Sequence, residues 1–358
     1  QGSGKTYQGK IVAVASPLIT YEPSFDGNSD TLLYALKNGN YLYTDPITMP
    51  GKAISSSSEA VIARTADDYG ISYYFRGKVE NNYVVFAQMC WQIVRIDGLG
   101  NIKLVLYNYN SDKENITNPC SPDYDGTSNA FARYSGTTYT TKFNDYSNYN
   151  AYIGLMYGTP NSSTYALEHA NNNKSRILTN LETWYENNLA YYESSLADVI
   201  WCNDKSTDGD GYGKKISFYR YNYVHNKKPS LICPNDKGGG KLSKFTVNDV
   251  TNGNGDLDYK VGLLTADEVV FAGSCVGSSC ANTSYYLYKN ASSDYWWTMS
   301  PSYFNNSDCI MYFVALNSNL DNYNSNALYA LRPAISLTSA ITIQDGGTGT
   351  QNNPYVVQ

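Results

Sequence analysis

The chain has 358 residues, of which 42% are hydrophobic and only 16% charged, and its formal net charge is −6. This length is sufficient for a large buried core, and the negative charge argues against a nucleic-acid-binding protein, which needs a basic surface to neutralise phosphates. The 36 tyrosines are unusually many, and each combines apolar area with a polar tip. No apolar run approaches the roughly 20 residues that a membrane-spanning helix needs.

The first 65 residues predict an N-terminal arm or small subdomain, because short apolar runs alternate there with turn sequences. Gln1–Ser3 resemble the remnant of a cleaved tag, and we expect any export signal or anchor to have been removed with that tag. Within the arm, Lys10–Ile19 has the apolar pattern of a strand. Residues 66–358 are expected to form one domain.

Two β-hairpins are predicted after the arm. Apolar residues alternate on both sides of an Asn-Asn pair and of the sequence DGLGN, which is typical of hairpin strands and their turns. In this arrangement Arg95 and Lys103 point away from the core face. The predicted strands are Tyr73–Val79, Tyr83–Phe86, Trp91–Ile96 and Ile102–Tyr107.

The most regular helical pattern follows a polar region, 108–172, that predicts loops. After this polar region, apolar residues recur at helical spacing on one face, and the run of Asn before them is suited to cap the first turn of the helix. The apolar face consists of Ile177, Leu178, Leu181, Trp184, Tyr185 and Leu189.

A second polar segment, 204–258, leads to a predicted strand at Val261–Leu264 and a short helix that ends at Phe271. Thr265 and Glu268 have the spacing of a capping box at the start of this helix. The C-terminal part predicts further strands at Trp296–Met299, Ile310–Leu316, Tyr329–Leu337 and within the sequence PYVV.

The seven cysteines predict sequential disulfides. Their spacing favours Cys90–Cys120, Cys202–Cys233 and Cys275–Cys280, and it leaves Cys309 unpaired. Six cysteines alone allow about 15 connectivities, and a set of buried thiols in a cytosolic protein is the alternative. Disulfides would indicate an oxidising, extracytoplasmic setting. No Cys-x-x-Cys pair occurs, so a zinc site is not expected.

Several sequences are specific as a set: CWQIVRIDG, ILTNLETWYENNL, LADVIWCND, SKFTVNDVTNGNGDL, GLLTADEVVFAG and WWTMSP…ALRPAISL. Through them the chain from Asp67 onward resembles a family of secreted or surface proteins of gut Firmicutes. The C-terminal halves of that family are similar to the C-type lectin-like fold of the formylglycine-generating-enzyme type. Proteins with this terminal pattern include variable proteins of diversity-generating retroelements, whose diversified segment is closed by a Gly-Phe-Arg-Pro-like strand. Here Leu331-Arg332-Pro333-Ala334 matches that closure.

The resemblance implies an α+β domain of the C-type lectin-like fold, with small twisted antiparallel sheets, one long and one short helix, and long loops. It also implies that residues 302–330 form a variable loop region. The formylglycine-generating enzymes carry two redox-active cysteines near the C-terminus, whereas this chain has only Cys309 in that stretch. We therefore expect no oxidase chemistry.

The segment from Ser302 to Ala330 contains no Lys, Arg, Glu, Gln or Trp. Diversification that randomises the adenines of Asn codons would produce every residue type in this segment, with Met311 as the exception. The alternative is that the segment is not diversified and only shares the high Asn and Tyr content of the whole chain. Tyr, Ser and Asn are also the residues that antibody loops use for contact. The predicted contacts are Tyr303, Phe304, Asn305, Asn306, Asp308, Tyr312, Asn317, Asn319, Asp321, Asn322, Tyr323 and Asn324, and the predicted scaffold is Trp296, Trp297, Arg332 and Pro333.

Other functional sites have weaker patterns. Asp208 and Asp210 imitate the start of a calcium-binding loop, but Ser217 stands where the loop needs an acidic residue, so solvated turns are favoured over calcium. No phosphate-binding loop, dinucleotide motif or zinc-protease motif occurs. His169 and His225 are predicted to lie on the surface. Neither a catalytic residue nor a cofactor is expected.

The sequence therefore predicts a non-enzymatic protein at the cell surface or outside the cell. Its expected partner is a protein or glycan on another cell, phage or host surface, without nucleic acid or a membrane span. The alternative is a structural subunit of a pilus or surface appendage, in which Lys10–Ile19 supplies a strand to a neighbour. A carbohydrate-active enzyme would need clustered carboxylates in a cleft.

Overall fold

The structure is a computed structural model, which describes residues 28–38, 43–44, 60–113, 115–126, 128–219, 229–234, 240–274, 285–288, 294–317 and 319–358. In these residues an α+β arrangement of short helices and two larger sheets encloses one extended apolar core. The helices are α1 (Leu32–Asn38), α2 (Tyr165–Glu168), α3 (Arg176–Asn188) and α4 (Ala266–Ala272).

The strands, numbered along the chain, form two larger and two smaller sheets. The nine-stranded sheet contains β1 (Tyr43–Thr44), β2 (Ala60–Ala66), β3 (Ile71–Gly77), β4 (Tyr83–Phe86), β5 (Met89–Ile96), β6 (Ile102–Asn108), β17 (Ala334–Leu337), β18 (Ile343–Asp345) and β19 (Tyr355–Val357). The six-stranded sheet contains β7 (Thr140–Thr141), β11 (Ser217–Phe218), β13 (Trp296–Phe304), β14 (Cys309–Val314), β15 (Leu320–Asn324) and β16 (Tyr329–Ala330). The two-stranded sheets pair β8 (Met156–Tyr157) with β9 (Asn173–Lys174), and β10 (Trp201–Cys202) with β12 (Lys244–Phe245).

The nine-stranded sheet is mixed, whereas the resemblance implied small antiparallel sheets. Strand β1 runs parallel to β2, and β19 runs parallel to β4. All residues of β5 and β6 are buried, because helices cover both sides. The ring of Trp91 in β5 packs against Trp184 of α3 at 6.2 Å, and Tyr74 of β3 packs against Phe271 of α4 at 4.7 Å.

One predicted hairpin is confirmed and the other is wrong. Strands β5 and β6 form the hairpin expected around DGLGN. Strands β3 and β4 are not neighbours, because each pairs with β5. The connection from β4 to β5 is a two-residue turn in which Ala87 and Gln88 have φ values of 51° and 60°, as type I′ hairpin turns require. This turn makes β4 and β5 the hairpin.

The two predicted helices are present, and their starts can be explained from single residues. The apolar face predicted for α3 is buried, but the cap is Ser175 rather than an Asn: its hydroxyl accepts a hydrogen bond from Leu178 N at 3.4 Å. Helix α4 has the predicted capping box, with Thr265 and Glu268 each accepting from the other's backbone N–H. The strand predicted at Val261–Leu264 is wrong, since this segment makes only an isolated bridge at Gly262.

Arg95 and Lys103 are buried rather than pointing away from the core. Glu268 of α4 lies over them: its Oε1 is 2.9 Å from Arg95 Nε and 2.7 Å from Lys103 Nζ. Asp67 adds a second carboxylate 2.9 Å from Arg95. Burial opposes ionisation of Glu268, but the attraction of Lys103 and Arg95 lowers its pKa to about 2. The helix therefore covers the sheet through a neutralised ionic cluster.

The predicted last long strand, Tyr329–Leu337, is split between the two larger sheets as β16 and β17. Between them the buried guanidinium of Arg332 donates to Leu106 O at 3.0 Å and to Leu287 O at 3.1 Å. These bonds tie the chain to two backbone carbonyl groups, which suits the scaffold role predicted for Arg332. The other predicted scaffold residues, Trp296, Trp297 and Pro333, are also buried.

Two of the predicted disulfides, Cys90–Cys120 and Cys202–Cys233, are formed. The third, Cys275–Cys280, lies outside the described residues. Cys309 is buried and is not bonded to a cysteine of the described part; its thiol donates to Tyr149 O at 2.9 Å.

The N-terminal segment is described only in part. The predicted boundary between residues 65 and 66 falls inside β2, and α1 buries three leucines in the main core. Gln1–Ser3 and the predicted strand Lys10–Ile19 lie outside the described residues. None of the helices in the described ranges has the length and apolar character needed to span a bilayer.

Candidate binding groove

The predicted loop region 302–330 is largely a β-meander. Strands β13, β14 and β15 follow each other as antiparallel neighbours. Trp297 pairs with Phe313, and Phe313 pairs in turn with Asp321. Because side chains alternate between the two faces of a sheet, these residues share one face with Tyr323. A sheet presents its side chains more rigidly than a long loop does.

An aromatic cluster forms the floor of this face. Trp297 is buried and donates its indole N–H to Thr141 O at 2.8 Å. Tyr329 lies at the centre of the cluster, with its ring 4.5 Å from Trp297, 4.6 Å from Phe313 and 5.1 Å from Tyr295. The tilted rings suit the quadrupole interactions of aromatic side chains. The floor is therefore fixed by packing from several strands.

A hollow of about 500 Å³ lies above this floor, within the size range of small-molecule sites. Tyr323 at 55% exposure, Leu316 at 41% and Tyr295 at 39% leave much apolar surface in contact with water. The residues that line the groove are Tyr295, Phe313, Ala315, Leu316, Asn317, Asn319, Asp321, Tyr323 and Tyr329.

The groove offers aromatic faces together with hydrogen-bonding groups. Burial, with smaller contributions from Tyr323, Tyr295 and Asp321, raises the pKa of Tyr329 to about 12. The phenol therefore stays protonated at neutral pH and can donate a hydrogen bond. Asp321 supplies the one carboxylate among the lining residues, and its Oδ1 accepts from Asn322 N at 2.8 Å. The lining contains neither Lys nor Arg.

The twelve predicted contact residues do not form one surface. Asn317, Asn319, Asp321 and Tyr323 line the groove. Strand β14 separates them from the turn between β13 and β14, and its six residues span roughly 20 Å. The predicted residues at that opposite end are Tyr303, Phe304, Asn305, Asn306 and Asp308.

Three of the predicted contacts are buried: Phe304 at 0% exposure, Tyr312 at 2% and Asn319 at 4%. Strand alternation turns Phe304 and Tyr312 towards the core, whereas Asn319 lies just before β15 and borders the groove. Asn322 and Asn324 are half-buried and alternate with Asp321 and Tyr323, so they point to the other face of β15.

The turn at the far end is held by its own polar side chains. Asn305 Oδ1 accepts from Ser307 N at 2.9 Å and from Asp308 N at 2.7 Å. Asp308 Oδ1 accepts from the hydroxyl of Ser147 at 2.8 Å. These bonds show that Asn305 and Asp308 shape the turn, whereas both had been predicted as ligand contacts.

Sequence reasoning missed Tyr295, Phe313, Leu316 and Tyr329, which line the groove. The signal that indicates the first two is the two-residue period. Tyr295 stands two residues before Trp297, and Phe313 pairs with Trp297 across the strands. Once Trp297 is assigned to the floor, its neighbours of the same parity belong to the same face.

The other candidate sites have structural roles. Asp208 Oδ1 accepts from Phe218 N at 3.0 Å, and Asp210 pairs with Lys215 at 2.5 Å. In the part of the chain that the structure describes, no three His, Cys, Asp or Glu side chains are grouped as metal ligands.

His169 is buried, which corrects the prediction of a surface histidine; His225 lies outside the described residues. The Nε2 atom of His169 is 2.8 Å from Gly211 O and 3.3 Å from the hydroxyl of Tyr219. Burial, and then the charge of Lys205, lowers the pKa of His169 to about 3. The ring is therefore neutral and packed within the core.

No protein-family model matches the sequence, and comparisons with curated proteins and with solved structures gave no significant match. The assignment of the groove therefore depends on its geometry and chemistry.

Proposed function

We propose that this chain is an extracellular ligand-binding protein that holds a short glycan segment in the groove above Tyr329. The observation that carries the proposal is a solvent-open hollow of about 500 Å³ in which rigid aromatic rings lie beside amide, phenol and carboxylate groups. Sugar rings have apolar faces that stack on aromatic side chains, and their hydroxyls need hydrogen-bonding partners at the edges. Asp321, Asn317 and the phenol of Tyr329 supply such partners.

The dimensions of the groove favour a glycan over a folded protein as its ligand. A stable protein interface involves about 20–30 residues on each side, whereas nine residues line this groove. The single carboxylate Asp321 also favours binding over glycoside hydrolysis, which uses a pair of carboxylates.

The proposal includes membership in the C-type lectin-like surface family that the sequence resembles. It is supported by the α+β architecture and by the two disulfides, which suit an oxidising setting outside the cytoplasm. Eight of the nine groove residues fall between Ser302 and Ala330, so diversification of this segment would alter the ligand. Trp297 and Tyr295, which lie before the segment, would keep their part of the floor, whereas Phe313 and Tyr329 belong to the segment.

The test is binding of the purified protein to a panel of immobilised oligosaccharides. We expect at least one glycan to bind, and we expect Tyr323→Ala to reduce that binding at least tenfold. Tyr191→Ala is the matched control, because Tyr191 is 92% exposed and belongs to a short helical segment, Ala190–Ser195, away from the groove. Absence of any bound glycan, or equal binding by both variants, would contradict the proposal.

A further inference from the structure

A buried lysine, a buried asparagine and a half-buried aspartate meet at a site that shares no residue with the groove. Lys205 is fully buried, and its Nζ donates to Asn171 Oδ1 at 2.5 Å and to Met156 O at 2.7 Å. On the other side of the same amide, Asn171 Nδ2 donates to Asp256 Oδ2 at 2.9 Å. The amide therefore stands between an amine and a carboxylate.

The orientation of the Asn171 amide is fixed by its partners. Its nitrogen faces two acceptors, Asp256 Oδ2 and Leu242 O, the latter at 3.2 Å. Its oxygen faces the Lys205 amine, which can only donate when protonated. The carbonyl carbon is one C=O bond, about 1.2 Å, from that oxygen. The amine thus lies next to the electrophilic carbon of a primary amide.

The surrounding backbone holds the two side chains together. Asn171, in the connection between α2 and β9, has a left-handed φ of 39° and is buried. Lys205 is anchored by a bond from its N–H to Ser243 Oγ at 2.8 Å. Its aliphatic stem passes Gly154, where an added Cβ would lie 3.0 Å from Lys205 Cε. Space for the lysine is therefore built into the fold.

A purely structural role explains this lysine less well than it explains Lys103. A buried cation is ordinarily stabilised by a carboxylate, and Lys103 has Glu268 at 2.7 Å. Within the described residues, Lys205 has no carboxylate at ion-pair distance. The charge that stabilises its protonated form is that of Asp256, on the other side of the Asn171 amide. Burial lowers the pKa of Lys205 to about 7, with Asp256 opposing the shift. The neutral, nucleophilic amine is therefore populated near neutral pH.

We propose that Lys205 and Asn171 join in an intramolecular amide bond, with Asp256 as the group that moves the proton. The neutral Nζ attacks Cγ of Asn171, a C–N bond forms, and the bond from Cγ to Nδ2 breaks. The new bond places Nζ on the same carbon as Nδ2, the atom that donates to Asp256 Oδ2 at 2.9 Å. Asp256 then takes the proton released by Nζ and passes it to Nδ2, which departs as ammonia. No electron is gained or lost, so the folded chain needs no oxidant and no further reactant.

The bond would cross-link residues 34 positions apart, close to the disulfide at Cys202. Unlike that disulfide, an amide cross-link cannot be reduced. It would therefore keep this part of the scaffold closed even where the disulfide is reduced.

The test is mass spectrometry of the wild-type chain after its disulfides have been reduced. We expect a mass lower than that of the sequence by one ammonia, and a branched peptide that contains both Lys205 and Asn171. Peptide mapping is necessary because an N-terminal glutamine such as Gln1 also loses ammonia when it cyclises. Lys103 should appear in linear peptides as the internal control. Recovery of Lys205 and Asn171 in separate linear peptides from wild-type protein would overturn the proposal.

Two aspartate variants test the proton transfer. Asp256→Ala should reduce the branched peptide at least tenfold, while Asp258→Ala should leave it unchanged. The control is well matched, because Asp258 is 62% exposed and pairs with Lys174 rather than with the amide. Thermal unfolding of both variants verifies that they are folded. Equal yields of branched peptide from two folded variants would refute the role of Asp256.

Discussion

Two tyrosines of the 302–330 segment should differ sharply in what they contribute to folding. Tyr312 is 2% exposed and Tyr323 is 55% exposed, although both belong to the same β-meander. A fully buried tyrosine removes about 150–250 Å² from water, worth roughly 5 kcal/mol at about 25 cal/mol per Å². Tyr323 buries less than half of its surface, so the same reasoning gives about 2 kcal/mol as an upper estimate.

We therefore expect Tyr312→Ala to lower the free energy of unfolding by about 3–5 kcal/mol, and Tyr323→Ala to lower it by about 1–2 kcal/mol. Urea titration followed by tryptophan fluorescence measures both, with the wild-type chain as reference. Because the substitution is the same, the difference reports how much more Tyr312 contributes through its buried surroundings than Tyr323 does at the surface. Equal losses for the two variants would refute the claim that a fixed sheet carries an outward face that tolerates change.

Three further predictions follow from the scaffold. Glu268→Gln should cost about 3 kcal/mol in urea titration, because Arg95 and Lys103 lose their buried counter-charge, while the surface variant Glu186→Gln should cost under about 0.5 kcal/mol; similar losses would contradict the ionic cluster. Since the pKa of Glu268 is lowered to about 2, its contribution is present above its ordinary pKa and should disappear in titrations as the pH falls from about 4.5 towards 2; constant stability over that range would count against it. Burial, then Asp308 and Glu168, raises the pKa of Cys309, so we expect iodoacetamide to modify it only in denatured protein; rapid modification of the native chain would show that the thiol is accessible.

Local patterns predicted the elements whose causes lie within a few residues. The period of apolar residues identified α3, and the spacing of Thr265 and Glu268 identified the start of α4. The spacing of cysteines likewise indicated both described disulfides. Each of these signals acts over a short stretch or through a small set of possible pairings.

Features that depend on distant partners could not be predicted in this way. Arg95 and Lys103 were predicted to point outward because Glu268, which neutralises them, is more than 160 positions away.

The wrong prediction of a hairpin between β3 and β4 had a local cause. The turn at Ala87 and Gln88, which joins β4 to β5, lacks the Asn-Gly or Asp-Gly signal of type I′ turns.

The groove itself was only partly predictable. Composition indicated the correct segment, and four of its predicted contacts line the groove. Composition does not show register, however, and a strand sends alternate side chains to opposite faces. Phe304 and Tyr312 were therefore assigned to the ligand although the pairing of β13 with β14 buries them. The missing information was which residues pair across the strands.

The most direct test of the central claim is an NMR titration of the labelled protein with the oligosaccharide that gives the strongest signal on the immobilised panel. If the groove holds the ligand, backbone amide shifts should change at residues 295, 313–323 and 329, and the turn at 305–308 should remain unchanged. Shift changes concentrated at that turn or elsewhere on the surface, with the groove residues unaffected, would contradict the account.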